Sequence, residues 1–349
     1  MLSLKTVANR IVRNVIIRTG LEVVALSNAG AFLPSAAGRG VIFTLHHVRP
    51  SRGEPYQPNA LLSVTPQFLD AAIGVCLQAG LVPVAVEELP RLLADPSDDR
   101  RFVSFTLDDG YRNNAEHAAP VFRKNGVPYT IFICKGFVER TRSMWWETAE
   151  QLTRDEAALE FDFGAGLETV TMRSMDQKQA AFDRISDFVQ TVEEDAAVAL
   201  LDAAASANGI DPLAIVDRLT MTEDELRDLA RDPLVRFGAH TLTHANLKRV
   251  DAARLKTEIT GSMQAVTSYI GRKPTSLAYP YGYATAVGER EFQAAVDAGL
   301  EIAVTTQPGT LRVSNLKRPT AFNRVSLNGL YQKERYVRAL LSGIPFKLM

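Results

Sequence analysis

Cysteine is scarce in this sequence. Cys76 and Cys134 stand far apart within apolar stretches, which excludes a disulfide framework and a Cys-x-x-Cys metal site. Two buried free thiols are the plain reading, and they fit a reducing compartment. An excess of either charge is also missing. The formal net charge is -1 and there is no long basic stripe, so nucleic acid is not an expected partner. No uncharged apolar run approaches the ~20 residues that a membrane-spanning helix requires. Repeats and low-complexity tracts are absent. Histidine is rare enough, at five residues, for each one to be informative.

What remains is a globular balance. With 46% hydrophobic and 23% charged residues among 349, the chain has material for two small domains or one large α/β domain. The N-terminal stretch "LKTVANRIVRNVIIR" repeats apolar residues at Leu4, Val7, Ile11 and Val15, with Arg10 and Arg13 opposite. That spacing predicts an amphipathic basic helix within residues 1–40. Arg10, Arg13, Arg18 and Glu22 interrupt any apolar core of a signal peptide. The helix either packs on the domain or lies on an anionic membrane surface as a peripheral contact. The expected compartment is the cytoplasm or the inner face of the membrane.

Residues 41–349 read as one domain. "GVIFTLHHV" (40–48), "LVPVAV", "FVSFTL" (102–107), "PYTIFIC", "LVRFGAH", "SLAYPYG", "LEIAVTT" and "FNRVSL" are strand candidates. Helices alternate with them. One opens at Thr65–Pro66 and closes at Gly80, one closes at Gly126, one opens on a capping box of Thr222 and Glu225, and a long one closes at Gly271. Alternation predicts parallel βα units, and seven or eight of them close as a (β/α) barrel, distorted or incomplete. Residues 142–220 break the rhythm. They predict a helical insertion with one hairpin near "FDFGAGLETVTM".

The strand "FVSFTL" delivers two adjacent acids, Asp108 and Asp109, followed by Gly110. Neighbouring side chains on a strand point to opposite faces. The pair serves one purpose only if the chain bends, which Gly110 permits. "HTLTH" supplies His240 and His244 directly after another strand. An i, i+4 pair on one helical turn can bring both imidazoles to one metal ion. Two histidines and a carboxylate make a catalytic metal set with open positions. Both motifs fall at the C-terminal ends of strands, where (β/α) barrels build active sites. One acid would complete the metal set and the other would accept a proton from water. An EF-hand needs acids at every second position, which "DDGYRNN" lacks. A phosphoryl-transfer aspartate would prefer D-x-D followed by Thr. A solvated turn would not predict the histidine pair.

"FTLDDG", "GAHTLTH" and "LAYPYG" resemble, in order, the first three motifs of the NodB-type polysaccharide deacetylases, carbohydrate esterase family four. The resemblance spans about residues 40–330. It implies that Asp108 is the general base, that Asp109, His240 and His244 bind a divalent metal, and that the backbone N–H of Tyr281 helps hold an oxyanion. Zinc is the implied metal, with Co2+, Ni2+ or Mn2+ as other candidates. The implied partner is an N-acetylated poly- or oligosaccharide, such as an exopolysaccharide, a chitin-like oligomer or peptidoglycan.

Two family features are missing. The arginine that steadies the base is replaced by Ala278, and no histidine follows His244. Arg324 in "FNRVSL" is the candidate replacement for the arginine. The subgroup resembling poly-N-acetylglucosamine deacetylases carries its acid histidine on the first strand, and His46 of "TLHHV" matches that position. On a regular strand His47 would face the other way. His117 reads as a surface residue. Tyr111, Asn113 and Pro280 are candidates to line the cleft, and Trp145 or Trp146 is a candidate sugar platform with the other in the core. The rival expectation is a catalytically silent sugar-binding protein on the same fold.

Overall fold

The computed structural model describes residues 3–27, 30 and 33–347, with side chains from residue 15 onward. Seven parallel strands form its centre. We label them β1 (Gly40–Leu45), β2 (Phe102–Leu107), β3 (Tyr129–Ile133), β4 (Val235–Ala239), β5 (Ser276–Ala278), β6 (Ile302–Val304) and β7 (Val325–Ser326). In space they run β7-β1-β2-β3-β4-β5-β6, so the order around the sheet follows the chain except at the seam. There β6 meets the segment before β7 through a single bridge, Val304 with Phe322. The result is a curled, incomplete (β/α) barrel. An eighth short strand, Val82–Pro83, pairs with the start of β2.

The strands are apolar throughout because both faces are covered. All six residues of β1 and all six of β2 are buried, as parallel sheets flanked by helices require. Helix Pro66–Gln78 starts where Thr65 Oγ1 accepts from the Phe68 N–H with Pro66 at the first position. The Thr222–Glu225 capping box opens helix Glu223–Leu229. Between β3 and β4 the chain builds helices Trp145–Asp155, Met175–Thr191, Glu194–Ala207 and Pro212–Leu219. The antiparallel hairpin Ala158–Asp162 with Leu167–Thr171 lies among them.

Two expectations change. "GVIFTLHHV" is not one strand. β1 stops at Leu45, and His47–Val48 pairs instead with Ser63–Val64. The break is held by Asn114, whose Nδ2 donates to the His46 carbonyl at 2.7 Å, and by Asn113, whose Oδ1 accepts the Val48 N–H at 3.0 Å. Among the described residues, the N-terminal helix, α1 (Ser3–Ser27), meets the domain through Leu21 and Val24, which lie outside the stripe expected from the sequence. Val15 of that stripe is 57% exposed. The side chains of Leu4, Val7, Arg10, Ile11 and Arg13 lie outside the described residues.

Candidate active site

The two acids reach one site because the backbone turns between them. The Asp108 N–H still bonds to the Leu45 carbonyl at 3.0 Å, as a strand residue would. Asp109 and Gly110 then both adopt the left-handed region, at φ 72° and 70°. Among the described residues, positive φ outside glycine occurs at Asp109, Arg140, Thr241, His244 and Tyr281. All but Arg140 belong to the three motifs. Such conformations cost ~1–3 kcal/mol each and persist where the surroundings enforce them, commonly at functional sites.

Arg324 crosses the barrel interior to Asp108. Its two terminal nitrogens donate to the two carboxylate oxygens at 2.7 Å each, a bidentate fork. Its Nε donates to the Thr305 carbonyl at 2.9 Å, and the guanidinium is fully buried. Ala278, where the family's arginine would stand, is buried in β5. The guanidinium therefore arrives from the residue just before β7. Burial alone would push the Asp108 carboxyl up, but Arg324 and His240 outweigh it and hold the group below the usual carboxylate range. The ion pair thus stabilises the fold above the ordinary carboxylate pKa and is lost as pH falls through the depressed value. Removing one partner of a buried pair costs ~3–5 kcal/mol. Arg324→Ala is expected to lose stability of that order in denaturant unfolding, with acid unfolding moved to higher pH. A variant as stable as the parent at neutral pH would show that the pair does not hold the site.

"HTLTH" is not a helical turn. His240 leaves β4 and the next residues form a loop, with φ of 65° at Thr241 and 57° at His244. Glu258, buried on helix Ala252–Ile270, clamps it. Its Oε2 accepts the Leu242 and Thr243 N–H groups at 2.8 and 3.0 Å, and its Oε1 accepts the Thr243 hydroxyl at 2.6 Å. The His240 Nδ1 donates to the Ala278 carbonyl at 2.7 Å, which leaves Nε2 as the free acceptor.

The three residues fit a cation. His240 Nε2 and His244 Nε2 each lie 3.4 Å from Asp109 Oδ1. Bonds of ~2.0–2.2 Å in a tetrahedral shell put neighbouring donors about 3.4 Å apart. Asp109 Oδ1 is buried and has no hydrogen-bond partner among the described residues, an expensive state for a charged oxygen. Arg324 is engaged by Asp108, so it leaves Asp109 uncompensated. Burial opposes ionisation of Asp109, but His240 beside it outweighs burial and holds the carboxyl well below its usual range. Burial pushes His244 down to about 3 despite Asp109, which leaves its imidazole neutral, the form that ligates metals.

His46 and His47 part company at the strand break. His46 is half-buried, and the pairing of Leu45 with Leu107 sets it level with Asp108 at the end of the sheet that carries the two acids. His47 is fully buried on the other side. Asn113 Oδ1 is occupied by the Val48 N–H, so its Nδ2 donates to His47 Nδ1 at 2.8 Å. His47 Nε2 then donates to Glu147 Oε1 at 3.1 Å. The ring also lies against Tyr111, tilted by 35° with centroids 3.6 Å apart.

Four candidate cleft residues are corrected by their burial. Tyr111 is fully buried, and its hydroxyl accepts from Trp146 Nε1 at 2.9 Å. Trp145 and Trp146 are 6% and 7% exposed, so neither offers an open face to a sugar. Trp146 packs on His244 with centroids 4.9 Å apart. Pro280 is buried beside Tyr279. Asn113 serves the loop through the bonds to His47 and Val48. His117 is half-exposed on the π-helical segment Asn114–Ala118, after the acids.

Tyr281, at φ 62°, has an N–H with no backbone acceptor among the described residues. Its hydroxyl donates to Glu194 Oε1 at 2.6 Å and accepts from Trp145 Nε1 at 2.9 Å. Glu194 Oε2 accepts the Asn246 N–H at 2.7 Å. The insertion thereby ties the third motif to the loop after the second. Sequence reasoning missed Glu194 and Glu258. Glu258 had a signal, a charge on the buried stripe between Leu255 and Ile259. Glu194 had none.

Comparison with known proteins follows the same lines. Residues 95–303 match the family model described as polysaccharide deacetylase. No curated protein matches the sequence. Among solved structures the chain is similar to the Streptococcus pyogenes deacetylase PplD in complex with acetate, at 16% identity and a TM-score of 0.54, covering 83% of this chain and 92% of that one. It is similar to a polysaccharide deacetylase from Bacillus cereus at 15% identity and a TM-score of 0.53, covering 86% and 68%. IcaB from Ammonifex degensii gives 15% identity and a TM-score of 0.51, covering 85% and 96%. At such identities the likeness is one of fold.

Proposed function

Because residues 95–303 carry its pattern, the chain belongs to the polysaccharide deacetylase family, and we propose that it is a divalent-metal-dependent hydrolase removing acetyl groups from N-acetylated sugars of a poly- or oligosaccharide. The observation that carries this reading is the uncompensated Asp109 oxygen set 3.4 Å from both imidazoles. It stands beside a second carboxylate that Arg324 keeps ionised and oriented.

Asp109, His240 and His244 would hold the cation, with zinc the first choice from the donor set and Co2+, Ni2+ or Mn2+ alternatives. When bound there, such a cation polarises the acetamide carbonyl and eases deprotonation of water. Asp108 accepts the proton of the attacking water. The Tyr281 N–H donates to the oxygen on which negative charge develops. His46 returns a proton to the departing amine as the C–N bond breaks, so the products are acetate and a free amino sugar. Glu194 and Trp145 hold the Tyr281 side chain while its amide does this. The rival reading as a silent binding protein rested partly on the missing arginine, and Arg324 supplies a guanidinium to that acid.

The test is acetate release from a chitin oligomer, poly-N-acetylglucosamine and peptidoglycan fragments, with and without a chelator. Acetate from at least one substrate, abolished by the chelator and restored by zinc or one of the other cations, is the expected result. Release that persists through exhaustive chelation would overturn the metal dependence. His240→Ala is expected to lose metal by elemental analysis together with turnover. A variant that keeps its full metal content would remove His240 from the ligand set.

A further inference from the structure

Helix α1 is apolar on two sides. Leu21 and Val24, 6% and 5% exposed, face the domain. Val15, Val23 and Leu26 face away from it, with Leu26 79% exposed, and Ile16, 64% exposed, stands at the rim of the space beneath the helix. At 100° per residue Val15, Val23 and Leu26 fall within one outward sector, and Arg18 and Glu22 lie between the two apolar sides. A helix serving only as a packing element would be polar outside. It would also fill the space beneath it. Instead a cavity of about 730 Å3 remains under α1, lined by Ile17, Leu21, Phe68, Leu327, Leu340 and Phe346 among others.

The sequence before Glu22 carries charge of one sign. Lys5, Arg10, Arg13 and Arg18 precede the first acid of the chain, Glu22, in a protein whose total is -1. Glu22 is itself neutralised by Arg335, Lys333 and the Tyr336 hydroxyl. Helix α1 packs beside helix Met175–Thr191 of the insertion and beside helix Glu334–Leu341, the latter through Leu21 and Val24. No single helix among the described residues is long and apolar enough to cross a membrane.

We propose that α1 docks the protein on an anionic lipid surface. Its outward stripe of Val15, Val23 and Leu26, with Ile16 at the edge, enters the headgroup boundary, and the net positive charge of the segment draws it to the anionic surface. An exposed apolar stripe joined to a cationic, acid-free segment has the chemistry of an interfacial helix. A second copy of the chain would bring the same four cations against themselves, which disfavours self-association through this segment. Docking would set the insertion that walls the active site close to the bilayer surface. This inference is independent of the proposed deacetylation.

Co-sedimentation of the full chain with vesicles of phosphatidylcholine, with and without phosphatidylglycerol, tests it. Binding is expected only to the anionic vesicles and should weaken as salt is raised. The outward variant Ile16→Ser/Val23→Ser/Leu26→Ser and the charge variant Arg10→Gln/Arg13→Gln/Arg18→Gln should each lower partitioning by about ten-fold or more. Acetate release from a soluble oligomer should be unchanged in both. A parent protein that stays in the supernatant at low salt, or an outward variant that partitions as the parent does, would overturn the proposal. So would a dimer that the outward variant dissociates, found in a protein that ignores vesicles.

Discussion

Asp108→Asn should keep its metal and lose nearly all turnover. The carboxylate is the one acid at the site that is not part of the metal trio. Its two oxygens are held by Arg324 at 2.7 Å each, and Thr44 Oγ1 approaches one of them at 3.5 Å. An amide of the same shape occupies the same volume but cannot accept the proton of water. Loss of a general base typically costs ~10²–10⁴ in rate. Asp109, His240 and His244 do not depend on it, so elemental analysis should find the parent's metal content. The substitution also leaves the buried Arg324 without its counter-charge, so the variant should melt earlier. Its turnover is therefore to be measured well below its own melting point. Turnover within a few fold of the parent would remove Asp108 as the base. Loss of metal together with turnover would mean that the two aspartates share the ligand role.

The site was legible in the sequence where function demands particular side chains at the ends of strands. Asp108–Asp109 and His240–His244 sit at the termini of β2 and β4, and hydrophobic runs announce those strands without reference to the rest of the chain. Arg324 was reachable because a missing arginine at Ala278 had to be replaced from the barrel interior, and the segment entering β7 offered one. The barrel itself followed from alternation of apolar runs and capped helices.

What the sequence hid has two physical causes. One is backbone conformation without glycine. Asp109, Thr241, His244 and Tyr281 all hold positive φ, and nothing in their composition marks it, so "HTLTH" read as a helical turn. The strand break at His46 is of the same kind, made by the side chains of Asn113 and Asn114 from another segment. The other cause is contact across long separations. Glu194 meets Tyr281 across 87 residues, and His47 meets Glu147 across 100. Trp145 and Trp146 looked like sugar platforms for this reason. Their partners Tyr281, Tyr111 and His244 come from three different segments and enclose them.

His46→Ala should keep the fold and the metal but lose the alkaline limb of the pH–rate profile. That limb reports removal of the proton that the departing amine needs, and loss of the group should lower turnover by ~10²–10⁴. Of the five histidines, His240 and His244 are held with Asp109, and His117 lies on the π-helical segment beyond the acids. His46 and His47 remain, and the structure distinguishes them by more than strand alternation. His46 is half-exposed and stands level with Asp108 at the end of the sheet, because Leu45 pairs with Leu107. His47 has both ring nitrogens committed, to Asn113 at 2.8 Å and Glu147 at 3.1 Å, and it is sealed beneath Tyr111. Burial pushes the His47 imidazole down in spite of Glu147, so it stands neutral, with Nε2–H donating. His47→Ala would remove the nearer partner of a buried carboxylate and should cost stability of ~1–3 kcal/mol, because Glu147 keeps only the Tyr111 hydroxyl at 3.4 Å. Its pH–rate profile should nevertheless keep the alkaline limb. The pair of variants thus gives opposite signatures, one in the shape of the profile and one in the unfolding midpoint. If His47→Ala lost the limb and His46→Ala kept it, the proton donor would have to reach the substrate from behind Tyr111, and the site geometry described for the first strand would be wrong.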